Sequence, residues 1–156
     1  MGLDMPAPVT DDPDTGGFFS AAAEGHLVVR RCGDCGSDVH LPAAACTRCG
    51  SWNTSWVGVP PRGRVYSWTV VERQVEASFQ VPYTLVIVEL DAAAAVRLVG
   101  HLPGRPEIGL GTPLIADFER RGESVLPRWR ICSAVDDQTP VTASTVRQVP
   151  EVSSRG

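Results

Sequence analysis

The stretch Cys32-Gly-Asp-Cys35 and, after ten intervening residues, Cys46-Thr-Arg-Cys49 decide the fold of the N-terminal part of this chain. Two Cys-x2-Cys turns deliver four thiolates, the ligand set of a tetrahedral structural zinc ion. A glycine follows each pair, at Gly36 and Gly50, and lets the backbone turn so that its amide groups point towards the sulfurs. Because thiolates fill all four positions, none remains for a substrate, and we expect the Zn²⁺ to be structural. The predicted zinc ligands are Cys32, Cys35, Cys46 and Cys49.

The cysteine pattern has two other interpretations, a redox pair and a set of disulfides. A redox Cys-x-x-Cys usually occurs once, beside a βαβ pattern that is missing here. Disulfides suit secreted proteins, but Met1-Gly-Leu-Asp-Met5 lacks the basic and apolar regions of a secretion signal. We therefore expect reduced thiols and a cytoplasmic protein, without membrane contact because no apolar run is long enough to span a bilayer. The fifth cysteine, Cys132, is expected to pack in a core strand rather than to act as a nucleophile.

Length and charge narrow the remaining possibilities. The 156 residues suffice for one compact domain, or for a small domain with an attached metal module. The net charge is −4, and the eight arginines of residues 63–135 are balanced by eight acids. This balance weighs against a general affinity for nucleic acid. All fourteen basic residues are arginine, so the chain offers no lysine for Schiff-base chemistry.

Two segments precede the cysteines. Residues 1–14 are rich in Pro and Asp without an apolar period, and we predict that they are disordered. Residues 15–25 are predicted to form a short helix with two adjacent aromatic residues, Phe18 and Phe19, that need a surface to cover them. These rings either pack on their own domain or dock on a partner, and the sequence leaves both possibilities open.

The rest of the chain is predicted to form a zinc ribbon at residues 26–57, a barrel at 58–135 and a flexible tail at 136–156. In the barrel segment the apolar pattern is that of short, half-buried strands. Five antiparallel strands, the first long enough to bend across two sheets, indicate the OB type of barrel. The fold class is thus mainly β, with a short N-terminal helix, a zinc ribbon and a five-stranded OB-type barrel. The predicted strands are 63–73, 82–90, 96–102, 112–121 and 125–132, with a turn at 91–95.

Four aromatic residues are concentrated between ribbon and barrel: Trp52, Trp56, Tyr66 and Trp68. We expect them to form the seam between the two modules. Exposed tryptophans are also good interface anchors, because they offer a large apolar surface at a low entropic cost. The candidate partner contacts are Phe18, Phe19, Trp52 and Trp56.

Several of these segments occur together in one known family. Leu27-Val-Val-Arg-Arg-Cys-Gly-Asp-Cys-Gly36 precedes Cys46-Thr-Arg-Cys-Gly-Ser51. Then follow Gly63-Arg-Val-Tyr-Ser-Trp-Thr-Val-Val71 and Pro82-Tyr-Thr-Leu-Val-Ile-Val-Glu-Leu90. Over residues 17–132 the chain resembles the acyl-CoA-associated family that joins a rubredoxin-like zinc ribbon to an OB fold.

The resemblance implies an accessory subunit rather than a self-sufficient enzyme. Members of that family pair with thiolase-like proteins or accompany hotdog-fold enoyl-CoA hydratases, for example in sterol side-chain degradation. One branch forms a retro-aldolase with its thiolase-like partner and cleaves a C–C bond of a β-hydroxyacyl-CoA. The resemblance therefore implies a hetero-oligomer that shares an acyl-CoA ligand, cleaves it by a retro-aldol or thiolytic route, and takes its catalytic residues from the partner.

The residues of the chain fit this accessory role. The three histidines, His26, His40 and His101, are far apart in sequence and have no evident acid or nucleophile beside them. The sequence contains no nucleophile elbow, phosphate loop or histidine metal pair. We predict no catalytic residue in this chain, and whether it has an activity of its own stays open.

The phosphates of CoA favour arginine as a binding partner, because the guanidinium fork matches phosphate oxygens. Three arginines occupy predicted loop or strand-edge positions from which they could meet these phosphates: Arg62, Arg64 and Arg105. The other interpretation is that each is a solvated arginine on a surface of mixed charge.

Nucleic-acid binding is the alternative function, because zinc ribbons and OB barrels both occur in such proteins and aromatic residues can stack on bases. The balanced charge argues against it, and we expect no nucleic-acid partner. A third possibility is an independent hydrolase or lyase. Turnover of an acyl-CoA by the purified chain alone would distinguish it from an accessory subunit.

Overall fold

The computed structural model describes residues 8–133 and Asp136. Most of the predicted tail at 136–156, and residues 1–7 of the predicted disordered N-terminus, lie outside the described residues. Residues 8–14 form an irregular segment that ends in a turn. There the carboxylate of Asp12 accepts hydrogen bonds from the backbone N–H groups of Asp14 and Thr15, 2.8 and 3.2 Å away.

The predicted short helix is present as α1 (Gly16–Ala23). Ala21 and Ala22 are buried, and the helix packs against strands of both the ribbon and the barrel. Glu24 caps the C-terminus, and Gly25 follows with a φ of +80°, a conformation that glycine adopts at little cost. Within the described residues, no helix has the length and apolar character needed to cross a bilayer.

The ribbon is a small antiparallel sheet of three strands, β1 (Leu27–Cys32), β2 (Asp38–Val39) and β3 (Thr54–Val59). Their order is β2-β1-β3, so β1 is central. It leads into the first zinc knuckle, the turn at residues 32–36, and the second knuckle is the turn at residues 46–50. The sequence did not predict β3, because its tryptophan and glycine are followed by the Pro60-Pro61 break. Pairing with β1 along its whole length makes this segment a strand.

The barrel strands are β4 (Arg62–Val71), β5 (Tyr83–Leu90), β6 (Ala93–Pro103), β7 (Pro113–Arg121) and β8 (Ser124–Ile131). They pair in the antiparallel order β6-β5-β4-β7-β8, and all five correspond to predicted strands. β6 begins inside the predicted turn at 91–95, because only Asp91 and Ala92 are needed to reverse the chain. The outer strands β6 and β8 contact each other and close the sheet.

The closure of the barrel depends on one large residue opposite a small one. The indole of Trp129 on β8 is 2 % exposed and lies against Gly100 on β6. A Cβ atom at Gly100 would lie 2.6 Å from Cδ1 of Trp129, closer than two carbon atoms can approach. The structure confirms the predicted fold class, a mainly β chain with a short helix, a zinc ribbon and a five-stranded OB-type barrel.

Ribbon and barrel share one hydrophobic core. Leu27 and Val29 of β1 and Val59 of β3 pack in the same buried cluster as Val86 and Leu114 of the barrel. β3 therefore runs across the predicted boundary between residues 57 and 58. The ribbon has only a small cluster of its own, formed by the side chains of Cys32, Val39 and Cys46.

Candidate functional site

The four knuckle cysteines converge at the end of β1. The Sγ atoms of Cys32 and Cys49 are 3.6 Å apart, those of Cys35 and Cys46 are 3.7 Å apart, and all four lie within 4.8 Å of one another. A tetrahedral zinc ion with Zn–S bonds of about 2.3 Å requires sulfurs about 3.8 Å apart. The geometry fits zinc, and it confirms the predicted cofactor site.

The two knuckles have the same backbone geometry. The N–H of Gly36 donates to the carbonyl of Cys32 at 3.0 Å, and the N–H of Gly50 donates to the carbonyl of Cys46 at 2.9 Å. Both glycines have positive φ, +68° and +76°, which a side chain would strain. These contacts confirm the prediction that a glycine after each cysteine pair makes the tight turn.

The electrostatics of the cluster require a cation. Hydrogen bonds from the side chain and the backbone of Ser37 lower the pKa of Cys35 to about 6. A backbone hydrogen bond from Ser51 lowers the pKa of Cys49, but the neighbouring thiols, Cys35 first, raise it to about 12. Cys35 and Cys49 therefore do not ionise together without a positive charge between them, which a divalent ion supplies.

A polar clip joins the two knuckles. The carboxylate of Asp34, inside the first cysteine pair, accepts hydrogen bonds from Oγ of Ser51 at 2.5 Å and from Nδ2 of Asn53 at 2.7 Å. The backbone N–H of Gly33 also donates to the carbonyl of Asn53 at 2.7 Å. Sequence reasoning missed this clip. The only available signal was an acidic residue between two ligands and a Ser-x-Asn after the second pair.

Two of the three candidate arginines share a site. Arg62 and Arg64, at the start of β4, line a polar cavity of about 320 Å³ with Asp91 and the residues that follow β8. Nε of Arg64 lies 3.3 Å from Oδ1 of Asp91, in an ion pair open to solvent. Arg62 donates a hydrogen bond from Nη2 to the backbone carbonyl of Asp136. The cavity is thus polar and holds two guanidinium groups beside one carboxylate.

Arg105 lies elsewhere on the barrel. It follows the end of β6, where Pro103 is paired with Tyr83 at the start of β5. Arg64, in contrast, is paired with Glu89 near the end of β5. Arg105 and Arg64 are therefore separated by most of the length of β5, roughly 20 Å at 3.3 Å per residue. The structure does not bring the three predicted arginines into one site.

The four candidate partner contacts lie in different environments. Phe18 packs against the barrel core and meets the ring of Phe19 edge to face, with centroids 5.4 Å apart. Trp56 lies so close to α1 that a Cβ atom at Gly17 would be 2.0 Å from its Nε1. Trp52, two residues after Gly50 at the end of the second knuckle, is 77 % exposed. Phe18 and Trp56 therefore serve internal packing, while Trp52 offers its ring to solvent.

The predicted aromatic seam contains Trp56 but not Tyr66 or Trp68. β4 has a bulge between Val65 and Ser67, and Tyr66 points from it to the surface of the barrel. There the guanidinium carbon of Arg97 lies 3.7 Å from the centre of the Tyr66 ring. The sequence order of these four residues suggested a common location, but Trp52, Tyr66 and Trp68 are exposed, whereas Trp56 packs against α1.

The histidines do not come together. His101 is on β6, with its ring 5.2 Å from that of Tyr83 and 6.2 Å from that of Phe79. Burial and then the positive charge of Arg121 lower the pKa of His101. His40 follows β2 in the ribbon, and His26 precedes β1. The three histidines therefore lie at different places in the fold.

Comparison with known proteins gives matches in both modules. Residues 19–53 match the ChsH2 rubredoxin-like zinc ribbon domain, and residues 56–119 match the ChsH2 C-terminal OB-fold domain. A curated relative, the "Probable enoyl-CoA hydratase alpha subunit" of Thermomonospora curvata, is 34 % identical over 120 residues. That match includes 75 % of this chain, which spans 37 % of the length of the relative.

A solved structure described as "Ltp2-ChsH2(DUF35) aldolase" contains a similar chain. The two superpose with a TM-score of 0.71 and are 32 % identical, and the match covers 81 % of this chain and 98 % of the other. Nearly the whole of that solved chain thus has a counterpart here, in sequence and in fold. Together with the two domain matches, this likeness shows that the chain belongs to the ChsH2 (DUF35) family, whose members join a rubredoxin-like zinc ribbon to an OB fold.

Proposed function

We propose that this protein is a zinc-containing accessory subunit of a hetero-oligomer that processes acyl-CoA, with a thiolase-like protein as its partner. The observation that carries the proposal is the match to the chain of the Ltp2-ChsH2(DUF35) aldolase, which extends over 98 % of that chain. The match to the hydratase subunit extends over 37 % of its length. We therefore prefer a thiolase-like partner over a hotdog-fold hydratase, and retro-aldol or thiolytic cleavage of a lipid or sterol side-chain acyl-CoA as the reaction.

The metal centre favours a structural rather than a catalytic role for this chain. Four thiolates saturate a tetrahedral zinc ion and leave no position for a water molecule or a substrate oxygen. A retro-aldol cleavage needs a base for the β-hydroxyl group and a donor for the developing enolate. The separate positions of His26, His40 and His101 leave these tasks to the partner.

The polar cavity beside β4 is the proposed anchor for CoA phosphates. Two arginine side chains, Arg62 and Arg64, line it and could bind phosphate oxygens through their guanidinium forks. The ion pair between Arg64 and Asp91 is exposed, so exchange of the carboxylate for a phosphate costs little. Arg105 already donates to Glu72 at 2.6 Å at a distant position, and we assign it no part in this anchor.

Trp52 is the residue that we propose for the centre of the partner interface. A tryptophan with 77 % of its surface exposed has much apolar area to remove from water when a partner binds. The connection between the two cysteine pairs also exposes Leu41, so the ribbon presents two large apolar side chains. Phe19, in α1, is the second candidate, whereas Phe18 and Trp56 pack inside the protein.

The test begins with capture of the tagged chain from its native host at low salt, followed by mass spectrometry. A stoichiometric thiolase-like protein is expected. The two proteins are then purified separately and assayed with β-hydroxyacyl-CoA thioesters, alone and mixed. Activity that needs both proteins supports the proposal, and turnover by this chain alone or the absence of such a partner contradicts it.

Matched variants test the CoA anchor in the same assay. The double substitution Arg62→Gln and Arg64→Gln should raise the KM for acyl-CoA about tenfold or more, because two charge-assisted hydrogen bonds are lost. Arg105→Gln, which removes an equally exposed arginine at the other end of β5, is the control and should leave KM unchanged. An equal effect of both changes would show a general charge effect rather than a site.

The nucleic-acid alternative has less support from the arrangement of charges. Cross-strand and local ion pairs neutralise many arginines of the barrel, among them Arg97 with Glu89 and Arg130 with Asp117. Among the described residues, this leaves no continuous basic groove for a phosphate backbone. Copurification of nucleic acid that survives nuclease and moderate salt would favour the alternative.

A further inference from the structure

An apolar cavity of about 170 Å³ lies where α1, the ribbon sheet and β6 meet. Engineered cavities of about 150 Å³ in proteins are large enough to bind benzene. By this comparison, the cavity accommodates about six carbon atoms. The side chains that line most of it are Phe18, Phe19, Val39, Trp56, Val96 and Leu98.

One guanidinium group lies at this cavity, and His40 also contributes to its lining. Arg30 on β1 contributes to its lining, and its guanidinium carbon lies 5.5 Å from the centre of the Trp56 ring. Nε of Arg30 donates to Oγ1 of Thr54 at 2.9 Å, which fixes the plane of the guanidinium group. Most described arginines pair with a carboxylate, as neighbouring Arg31 does with Asp38 at 2.7 Å, but no described carboxylate lies within ion-pair distance of Arg30.

The combination selects one class of ligand. A purely apolar molecule would fill the cavity but would remove the guanidinium from water without a new partner. A simple anion would satisfy the guanidinium but would leave the apolar lining wet. A short aliphatic chain that ends in a carbonyl or carboxylate group satisfies both, because the chain fills the cavity and the oxygen accepts from Arg30.

We infer that this cavity binds a short aliphatic carboxylate, whose chain fills the apolar space while the guanidinium of Arg30 donates to the carboxylate oxygens. The inference goes beyond the proposed function, because the cavity needs neither CoA nor a partner to be tested. It predicts a preference for chains of up to about six carbons. A longer chain must continue outside the cavity.

The probe is hexanoate, the free acid of a six-carbon acyl chain, and its matched control is 1-hexanol, which has the same carbon chain without the charge. Isothermal titration calorimetry with the full-length, zinc-loaded protein measures both. We expect saturable 1:1 binding of hexanoate that is tighter than that of 1-hexanol. Arg30→Gln should weaken hexanoate binding about tenfold and change 1-hexanol binding less than twofold, because only the charge-assisted hydrogen bond is lost.

Two further variants locate the binding. Thr15 lines the cavity and makes no capping hydrogen bond to α1, so Thr15→Trp can fill the space without removing a helix cap. This substitution should abolish the binding of both probes. Arg48→Gln removes an exposed arginine that donates to Ser37 in the ribbon, and it should leave both affinities unchanged. Zinc content and circular dichroism of each variant establish that it is folded.

Several results would overturn the inference. Hexanoate that does not bind the parent up to 100 mM, or that binds Thr15→Trp as well as the parent, would show that the cavity is not its site. An equal loss of hexanoate affinity in Arg48→Gln would show that any arginine contributes through a general charge effect. If Thr15→Trp abolished partner binding while hexanoate never bound, the cavity would be a pocket for a partner side chain. Failure of the proposed function is distinguishable, because it would appear in the capture and acyl-CoA assays and not in this titration.

Discussion

The ribbon and the barrel reach stability by different means. The barrel buries a set of large apolar side chains completely, among them Val86, Val88, Leu114 and Trp129. The ribbon's own buried cluster consists of Val39 and two zinc ligands. So small a core cannot offset the conformational entropy of its loops, and metal coordination must supply the difference. The contrast shows that a short chain can join a module that folds by burial to one that folds by binding an ion.

Removal of one zinc ligand should have the largest effect, and only on the ribbon. Cys46→Ser leaves three thiolates, and since zinc coordination contributes about 10–16 kcal/mol in zinc-finger peptides, we expect loss of the metal. Hydrogen exchange should become fast in β2, the knuckles and the zinc-proximal half of β1, while β5 stays protected. A variant that keeps one zinc per chain and the parental exchange pattern would contradict the assignment. Cys132→Ser is the matched control and should keep its zinc.

Truncation of a core residue should produce the opposite pattern. Trp129→Ala removes a buried indole and should destabilise the barrel by about 3–5 kcal/mol, because it leaves a large cavity. Thermal unfolding followed by circular dichroism measures this change, and a metal-binding dye measures zinc retention below the transition. Trp52→Ala, at an exposed tryptophan, should shift the transition by no more than a degree or two. Similar shifts for both variants would refute the division between core and surface tryptophans.

The junction between helix and ribbon provides the next test. Gly17→Ala places a methyl group where the indole of Trp56 lies, so α1 or the ring must move. Overpacking of this kind costs about 1–3 kcal/mol. Tryptophan fluorescence should shift along with the melting temperature. The neighbouring change Gly16→Ala introduces a Cβ with a closest contact of 3.3 Å, and its effect should be clearly smaller.

The polar clip of the ribbon should influence metal affinity without deciding the fold. Asp34→Ala removes the acceptor for Ser51 and Asn53, which holds the two knuckles together. We expect zinc affinity to fall about tenfold, as is typical when support for metal ligands is lost. Competition with a chelator of known affinity measures the change. Asp38→Ala, which breaks the ion pair with Arg31 on the same sheet, serves as comparison and should retain more of the affinity.

The smallest predicted effect is a pH dependence at the end of the barrel. The pKa of Asp136 lies well below its usual range, chiefly because Arg130 donates to its carboxylate and also because Ser133 does. A depressed carboxyl pKa contributes stability above the unfolded-state pKa of about 4, and this contribution disappears as pH falls towards the folded-state value. Asp136→Asn should therefore lower the melting temperature slightly at pH 7. The difference from the parent should shrink steadily between pH 5 and pH 2, and a constant difference would show that the charge is not its cause.

The sequence predicted those parts of the molecule that local chemistry dictates. Spacing alone identified the zinc ligands, and apolar patterns located β4, β5, β7 and β8, because these signals occupy a few consecutive residues. β3 was missed because its strand character comes from pairing with β1, a contact between residues 22 to 32 positions apart in the sequence. The arginine cavity could not be predicted either. Arg64, Asp91 and Ser133 meet only after the sheet has closed.

The environment of each candidate residue also could not be predicted from the sequence. Arg64 and Arg105 look equivalent in sequence, but the register of β5 places them at opposite ends of the barrel. Trp52 and Trp56 are four residues apart, but one projects into solvent and the other fills the angle between helix and ribbon. Composition and spacing carry no information about these differences, because they arise from strand register and from the position of α1.

β1 connects the barrel core directly to the metal centre, and this connection limits how the two modules can move relative to each other. This strand of six residues, roughly 20 Å long, has Leu27 and Val29 embedded in the barrel core and ends at Cys32 on the metal centre. One end of β1 is therefore fixed by packing in the barrel core and the other end by the zinc site. A protein that binds the ribbon at the exposed Trp52 would therefore hold the barrel at a fixed distance and orientation relative to itself. The length of β1 would then set the distance between a partner bound at the ribbon and a ligand bound at the barrel.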